Sequence, residues 1–138
     1  MKFYFELKLP SNLKILKKVG SLIESTIGCL LENQYRIAYH MNLVATEALS
    51  NAIKYGGQKE IWVRLWLTNS TIKLEIADKG FRLDKKPRAK KVGFEKESGR
   101  GLFIISQIVD KMEFKQIEDT AVFTVTKKIN RNGEYCVL

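Results

Sequence analysis

The stretch TEALSNAIKYGG, residues 46–57, combines an amphipathic helical pattern with a row of polar side chains. Glu47 and Asn51 are four residues apart, and Lys54 follows three residues later. In a helix this spacing brings all three close to one face, while the intervening alanine, leucine and isoleucine residues suit the core. A Gly-Gly pair closes the stretch and predicts the end of the helix. Taken alone, the polar row is a solvated helix edge, although an asparagine inside a helix is mildly unfavourable and indicates a further use.

The flanking sequence predicts an α+β protein with the order strand, helix, helix, strand, strand, loop, helix, strand, strand. Ser11 is the predicted cap of the first helix, and Asn69-Ser70 is the predicted turn of the first hairpin. Hairpins imply antiparallel pairing, so we expect a two-layer α/β sandwich with a mixed, mostly antiparallel sheet and three helices on one face. The first strand is not followed by a glycine-rich turn, which disfavours Rossmann and P-loop folds. The predicted elements are strands over 3–9, 59–68, 71–78, 113–119 and 121–129 and helices over 13–30, 35–55 and 101–112.

Length and composition are typical of one soluble globular domain spanning residues 1–138. Hydrophobic residues make up 45% of the chain and charged residues 28%, which suits a packed core with a solvated surface. No apolar run approaches the roughly 20 residues that a membrane-spanning helix needs. The alternating N-terminal segment lacks the apolar centre of a signal peptide, so we expect a cytoplasmic protein that does not bind membranes.

The formal net charge of +9 is unevenly distributed along the chain. Residues 85–100 hold seven of the 24 basic residues against two acidic ones. Neither interleaved aromatic residues nor zinc-finger spacing accompanies them, so a solvated basic loop is favoured over direct nucleic-acid binding. Cys29 and Cys136 are too few for a metal site or a disulfide framework, and Cys29 is predicted to be a small buried hydrophobic residue.

Two further motifs contain the residue types of a nucleotide site. The segment IADKG ends a predicted strand with Asp78, whose carboxylate suits an exocyclic amine, and Gly80 permits the close approach of a flat ring. The segment SGRGLFII places Gly99 and Gly101 just before a predicted helix, where free backbone N–H groups bind phosphate. The carboxamide oxygen of Asn51 suits Mg²⁺, and a carboxylate one turn earlier suits a general base. Each motif alone also fits an ordinary turn or helix.

Together, the three motifs resemble those of the histidine-kinase-like (GHKL) ATPase superfamily, whose domains have the Bergerat fold. Its motifs are Glu-x-x-x-Asn in a helix, Asp-x-Gly after a strand and Gly-x-Gly before a helix. The segments ATEALSNAIKYG and SGRGLFIISQIVDKMEF narrow the resemblance to the anti-sigma-factor serine/threonine-protein kinases of bacteria. Those are free-standing ATPase domains of about this length, so the resemblance covers nearly the whole chain.

The resemblance implies a role for each motif residue in binding ATP and Mg²⁺. Glu47 would be the catalytic base that activates the acceptor hydroxyl. Asn51 would bind the magnesium ion, and Lys54 would contact phosphate. Asp78 would hold the adenine amino group, with Gly80 against the ring.

The resemblance also assigns the segments that follow the second motif. Residues of about 81–98 would form a lid over the nucleotide, and Thr120 would lie near adenine. Arg82 stands where the family's second motif has its second glycine, which is a departure that bears on nucleotide affinity. The phosphate-side turn would comprise Gly99, Arg100, Gly101 and Leu102.

The function implied by the resemblance is partner switching in transcription regulation. Such a kinase transfers the ATP γ-phosphate to a Ser or Thr of a STAS-type anti-sigma-factor antagonist, sequesters a sigma factor or other partner, and forms a homodimer. One alternative is a catalytically weak or inactive binding module of the same fold, against which the intact Glu47 argues. Another is the catalytic part of a histidine kinase, which is disfavoured because His40, the sole histidine, precedes Met-Asn in the helix of Glu47.

Overall fold

The computed structural model describes residues 2–57, 59–80 and 99–129. Its strands and helices follow the predicted order, which confirms the α+β class. Within these ranges, no helix combines the length and apolar character that crossing a bilayer requires. The predicted lid over 81–98, with Arg82, lies outside the described residues. The bounds are β1 Lys2–Pro10, α1 Leu16–Leu30, α2 Tyr35–Tyr55, β2 Glu60–Thr68, β3 Thr71–Lys79, α3 Gly99–Ile108, β4 Lys111–Ile117 and β5 Thr120–Lys128.

The strands of the described part form one sheet in the order β1-β2-β3-β5-β4. Every neighbouring pair is antiparallel. This order places β3 at the centre of the sheet and leaves β1 and β4 as its edges. The C-terminal end of β3, where Asp78 lies, is therefore flanked by a strand on each side.

One face of the sheet forms the core beneath the helices. Leu65, Leu74 and Val125 are cross-strand neighbours on that face, and each is almost completely buried. Burying such an aliphatic side chain stabilises the fold by about 1.5–3 kcal/mol. Each helix contributes to the same core cluster, through residues that include Ile23, Leu49 and Ile105. The predicted two-layer sandwich, with three helices on one face, is confirmed.

The opposite face of the sheet carries aromatic and charged side chains, and within the described ranges no helix packs on it. The Trp66 ring lies 5.2 Å from that of Tyr4. Arg64 donates hydrogen bonds to Glu6 and Glu75, both at 2.6 Å. The Arg64 guanidinium holds the pKa of the Glu6 carboxyl below its usual value. Both tryptophans of β2 thus belong to a structured, partly exposed surface.

A close crossing between α1 and α2 fixes the helix that carries the first motif. A side chain at Gly20 would overlap the Asn42 carboxamide and crowd the Thr46 hydroxyl. Asn42 Nδ2 donates to Glu24 at 2.7 Å, and Thr46 Oγ1 donates to Asn42 Oδ1 at 3.1 Å. The glycine therefore lets a polar ladder join the two helices at Thr46, one residue before the polar row begins at Glu47.

Two local predictions from the sequence are wrong. The chain first forms a 3-10 helix over Leu13–Ile15, and its cap is Asn12 rather than Ser11, because the Asn12 Oδ1 atom accepts the Lys14 backbone N–H at 2.9 Å. Cys29 is exposed rather than buried. The core side of α1 is set by residues such as Ile27, and a position two residues later falls on the opposite side of a helix.

The third helix is shorter than predicted. It ends at Ile108, four residues before the predicted end at Met112. The backbone N–H of Asp110 donates to the Thr126 carbonyl at 2.9 Å, so the chain has already turned towards the sheet. Strand β4 then begins at Lys111, which makes Met112 a strand residue.

Candidate functional site

A cavity of about 230 Å³ lies between the C-terminal half of α2 and strands β3, β5 and β4. Liquid water occupies roughly 30 Å³ per molecule, so the cavity is several waters in size. Its wall is mostly apolar, which suits a flat heteroaromatic ring better than a solvated ion. Residues of the predicted site that line it are Asn51, Asp78 and Leu102.

Asp78 is a nearly buried carboxylate at this cavity, with 5% of its surface exposed. Both of its oxygens accept the Gly57 backbone N–H, at 3.1 and 3.3 Å. A side chain at Gly56 would overlap the carboxylate, so glycine at the end of α2 lets Asp78 approach. A carboxylate accepts up to about four hydrogen bonds, so an exocyclic amine can be a further donor.

Glu47 lies against the first turn of α3. A side chain at Gly101 would overlap the Glu47 Oε2 atom, so the glycine makes room for this carboxylate. Asn51, one helical turn after Glu47, and Leu102, next to Gly101, both line the cavity. The helix and turn motifs of the sequence therefore meet at one edge of the cavity. Gly99 begins α3, and the Arg100 side chain lies outside the described part.

Seven predicted site residues are not among those that line the cavity. Glu47 contacts the start of α3, to which Gly99, Arg100 and Gly101 belong, and the other three are Lys54, Gly80 and Thr120. Lys54 is exposed. Gly80 has a φ of +88°, and the aliphatic part of Lys59 lies over it. Thr120 donates to Asp119 Oδ1 at 3.2 Å, and strand alternation turns its side chain away from the helix layer. Their predicted contacts with nucleotide stay predictions.

The family model of the histidine kinase-like ATPase domain matches residues 10–127. The chain belongs to this family. A comparison with curated proteins found no match. Family membership implies that the domain binds ATP, and the cavity has suitable chemistry for the base. Its buried carboxylate lies in an otherwise mostly apolar wall, as recognition of an amino-bearing heteroaromatic ring requires.

A metal in this histidine kinase-like ATPase domain would depend on few protein ligands. The described residues contain no group of three or more His, Cys, Asp or Glu side chains placed to hold an ion. Mg²⁺ usually keeps several waters and takes one or two protein ligands together with substrate phosphates. The carboxamide of Asn51 fits that limited role.

The sequence motifs did not indicate the apolar wall of the cavity. Met112 and Phe114 of β4 and Phe123 of β5 line it, as does Tyr55 of α2. Their period-two spacing in the strands was available as a signal. Their position beside Asp78 could not be predicted from sequence, because it depends on the long-range strand order β3-β5-β4.

His40 lies outside the cavity of the ATPase domain. It precedes Glu47 by seven residues in α2, which is about 10 Å along a helix axis. Partial burial lowers its pKa, and the nearby charges of Arg36 and Lys127 lower it further. The His40 imidazole lies near the N-terminal end of α2, whereas Asp78 lies beside its C-terminal end.

Proposed function

We propose that this protein is a Mg-ATP-dependent serine/threonine kinase that phosphorylates an anti-sigma-factor antagonist of STAS type. The observation that carries the proposal is the position of Glu47. Its carboxylate lies against Gly101 at the start of α3, next to a cavity lined by Asn51 and Asp78. A binding module needs no base at that position, whereas a phosphotransferase does.

In this proposal the base, the metal ion and the phosphates of Mg-ATP each contact a different group of the described residues. Asp78 accepts the exocyclic amine of adenine in the apolar part of the cavity. Asn51 offers its carboxamide oxygen to Mg²⁺, which prefers hard oxygen ligands. The first turn of α3, whose backbone N–H groups have no partner within the helix and which carries no side chain at Gly101, receives the phosphates.

Glu47 performs the proton transfer in this proposal. Mg-ATP, when bound, supplies a γ-phosphoryl group whose charge the metal partly neutralises. Glu47 accepts the proton that the acceptor Ser or Thr hydroxyl loses on phosphorylation. Asn51, one turn later on the same side of α2, would hold the metal there. Catalysis then consists mainly of positioning and electrostatic stabilisation.

The proposed partners rest on the family resemblance and on the surface of the chain. The net charge of +9 favours acidic partner surfaces. The antagonist's phosphorylation state would decide whether the kinase holds the antagonist or a sigma factor. Homodimerisation would use the sheet face with Trp62 and Trp66, because the helices of the described residues lie on the other face and this one carries large aromatic rings.

The Glu47→Gln variant tests the proposed function. Gln keeps the shape of the side chain but cannot act as a base, so transfer from ATP should fall by roughly 10²–10⁴-fold while ATP affinity is retained. The measurement is acid-stable phosphate on the antagonist recovered by affinity capture, with ATP affinity from calorimetry. Glu32→Gln, an identical change at an exposed position between α1 and α2, is the control. Full transfer by Glu47→Gln would contradict the mechanism, and failure of the native chain to bind Mg-ATP would contradict the kinase assignment.

A further inference from the structure

The mechanism above gives no individual role to the aromatic residues of the apolar wall of the cavity. Phe114 of edge strand β4 pairs with Phe123 of β5, which pairs with Ile76 of β3. All three line the cavity. This row lies next to the one that contains Asp78, because Ile76 precedes Asp78 by two residues on the same face of β3. The wall therefore begins beside the carboxylate and extends to the sheet edge.

Phe114 is unusually exposed for a large aromatic residue on the helix-facing side of the sheet. Its exposed fraction is 53%, and its ring centroid lies 6.0 Å from that of Phe123 at an interplanar angle of 48°. Leaving such a ring in water is unfavourable, and a flat ligand placed against it removes apolar surface from water. Tyr55 lines the cavity from the helix layer, so aromatic side chains are present on both layers.

The charges of the residues that line the cavity indicate which part of a nucleotide binds against this wall. Among the described residues that line the cavity, none is Lys or Arg. A phosphate placed against Phe114 and Phe123 would lose its water without gaining a cation or a donor from these rings. A heteroaromatic base gains stacking there, and its amino edge reaches towards Asp78.

We propose that Phe114 stacks on the nucleotide base, with Phe123 behind it. This inference rests on the nucleotide site of the proposed function and adds a residue from the edge strand to it. Because β4 has β5 as its one neighbour in the sheet, Phe114 is the lateral boundary of the base site. Its removal opens the site sideways without removing a core residue.

The test compares three probes on the full chain: adenosine, Mg-ATP and inorganic tripolyphosphate. Phe114→Ala should raise the Kd of adenosine and of Mg-ATP by roughly 5- to 150-fold, the range for losing one base–aromatic stack. The Kd of tripolyphosphate should not change, which a general loss of structure would not allow. Phe114→Tyr keeps a ring and should restore both affinities.

Ile117→Ala is the matched control for the edge strand. Ile117 is 58% exposed on the same strand, but strand alternation places it on the other face, so its truncation should leave all three affinities unchanged. Native binding of adenosine together with unchanged adenosine binding by Phe114→Ala would overturn the inference and leave the kinase assignment intact. An equal loss for tripolyphosphate would also overturn it. Absence of adenosine and ATP binding by the native chain would overturn both.

Discussion

At the scale of the residue, glycines decide where the two carboxylates of the site lie. Gly101 borders the Glu47 carboxylate, and Gly56 borders that of Asp78. In both cases a methyl group would occupy the space of a carboxylate oxygen. The glycines are thus required by close approach, and neither has a positive φ.

Gly101→Ala should separate catalysis from folding. The atom in its way is the far end of the flexible Glu47 side chain, which can rotate aside at small cost. Stability should therefore be retained, while a displacement of about 1 Å lowers phosphate transfer by roughly 10²-fold. Transfer rate and thermal midpoint, measured together, check this expectation. Gln107→Ala, at an exposed position of α3, should change neither quantity, and native transfer by Gly101→Ala would argue against Glu47 as the base.

At the scale of the element, α2 is held from both sides of its polar row. The ladder from Glu24 through Asn42 to Thr46 ties it to α1. Its other end stops at Gly56, whose N–H donates to the Ala52 carbonyl at 2.9 Å. The helix therefore presents Glu47 and Asn51 from a backbone that is fixed on either side of them.

Gly20→Ala should destabilise the protein through the crossing of α1 and α2. The added methyl group overlaps Asn42 and Thr46, and overpacking of this kind costs about 1–3 kcal/mol. Gly28→Ala on the same helix is the control, because nothing lies within 4 Å of the added carbon. There the gain in helix propensity should raise the free energy of unfolding by about 0.5–1 kcal/mol. Urea denaturation of both variants measures the difference, and equal effects would contradict the close crossing.

The elements also explain which parts of the molecule could be predicted from sequence. The bounds of α2 were predicted well because an apolar period of three and four residues ended at two glycines. The end of α3 was not predicted correctly, because it depends on a contact between residues distant in sequence: the Asp110 N–H, beyond the helix end, bonds to Thr126. Asn51 and Asp78 could be assigned to the site because they belong to local motifs. The position of Phe114 at the cavity could not be predicted, because it depends on the order of the strands in the sheet.

At the scale of the whole molecule, the two ends of the sheet have different electrostatic character. One end carries the cavity with Asp78. Towards the other end lies Lys127, which is 6% exposed and 3.9 Å from Asp110, with His40 of α2 and its neighbour Arg36 close enough to interact. Burial and these two cations lower the pKa of His40 in the folded protein.

The stability of the protein should therefore fall as pH drops below about 6.5, where a histidine in the unfolded chain takes up a proton. The folded chain resists that proton because the pKa of His40 is lowered, so the unfolded state binds more protons and acid favours unfolding. His40→Gln stays neutral in both states and should reduce this slope between neutral and mildly acidic pH. Thermal midpoints of the native chain and the variant across that interval check the sign. A slope that is unchanged in His40→Gln would show that another group is responsible.

The hydrogen bond from the Gly57 N–H to Asp78 means that the Asp78 carboxylate makes two different kinds of interaction. It accepts the N–H of Gly57, just beyond the end of α2, and in the proposed site it also accepts the amine of the base. Asp78→Ala would leave the Gly57 N–H without this acceptor, a loss worth about 1–3 kcal/mol when the donor is buried, and would remove the amine acceptor at the same time. In the proposed site, replacing Asp78 should therefore weaken ligand binding and loosen the chain at the end of α2 at the same time.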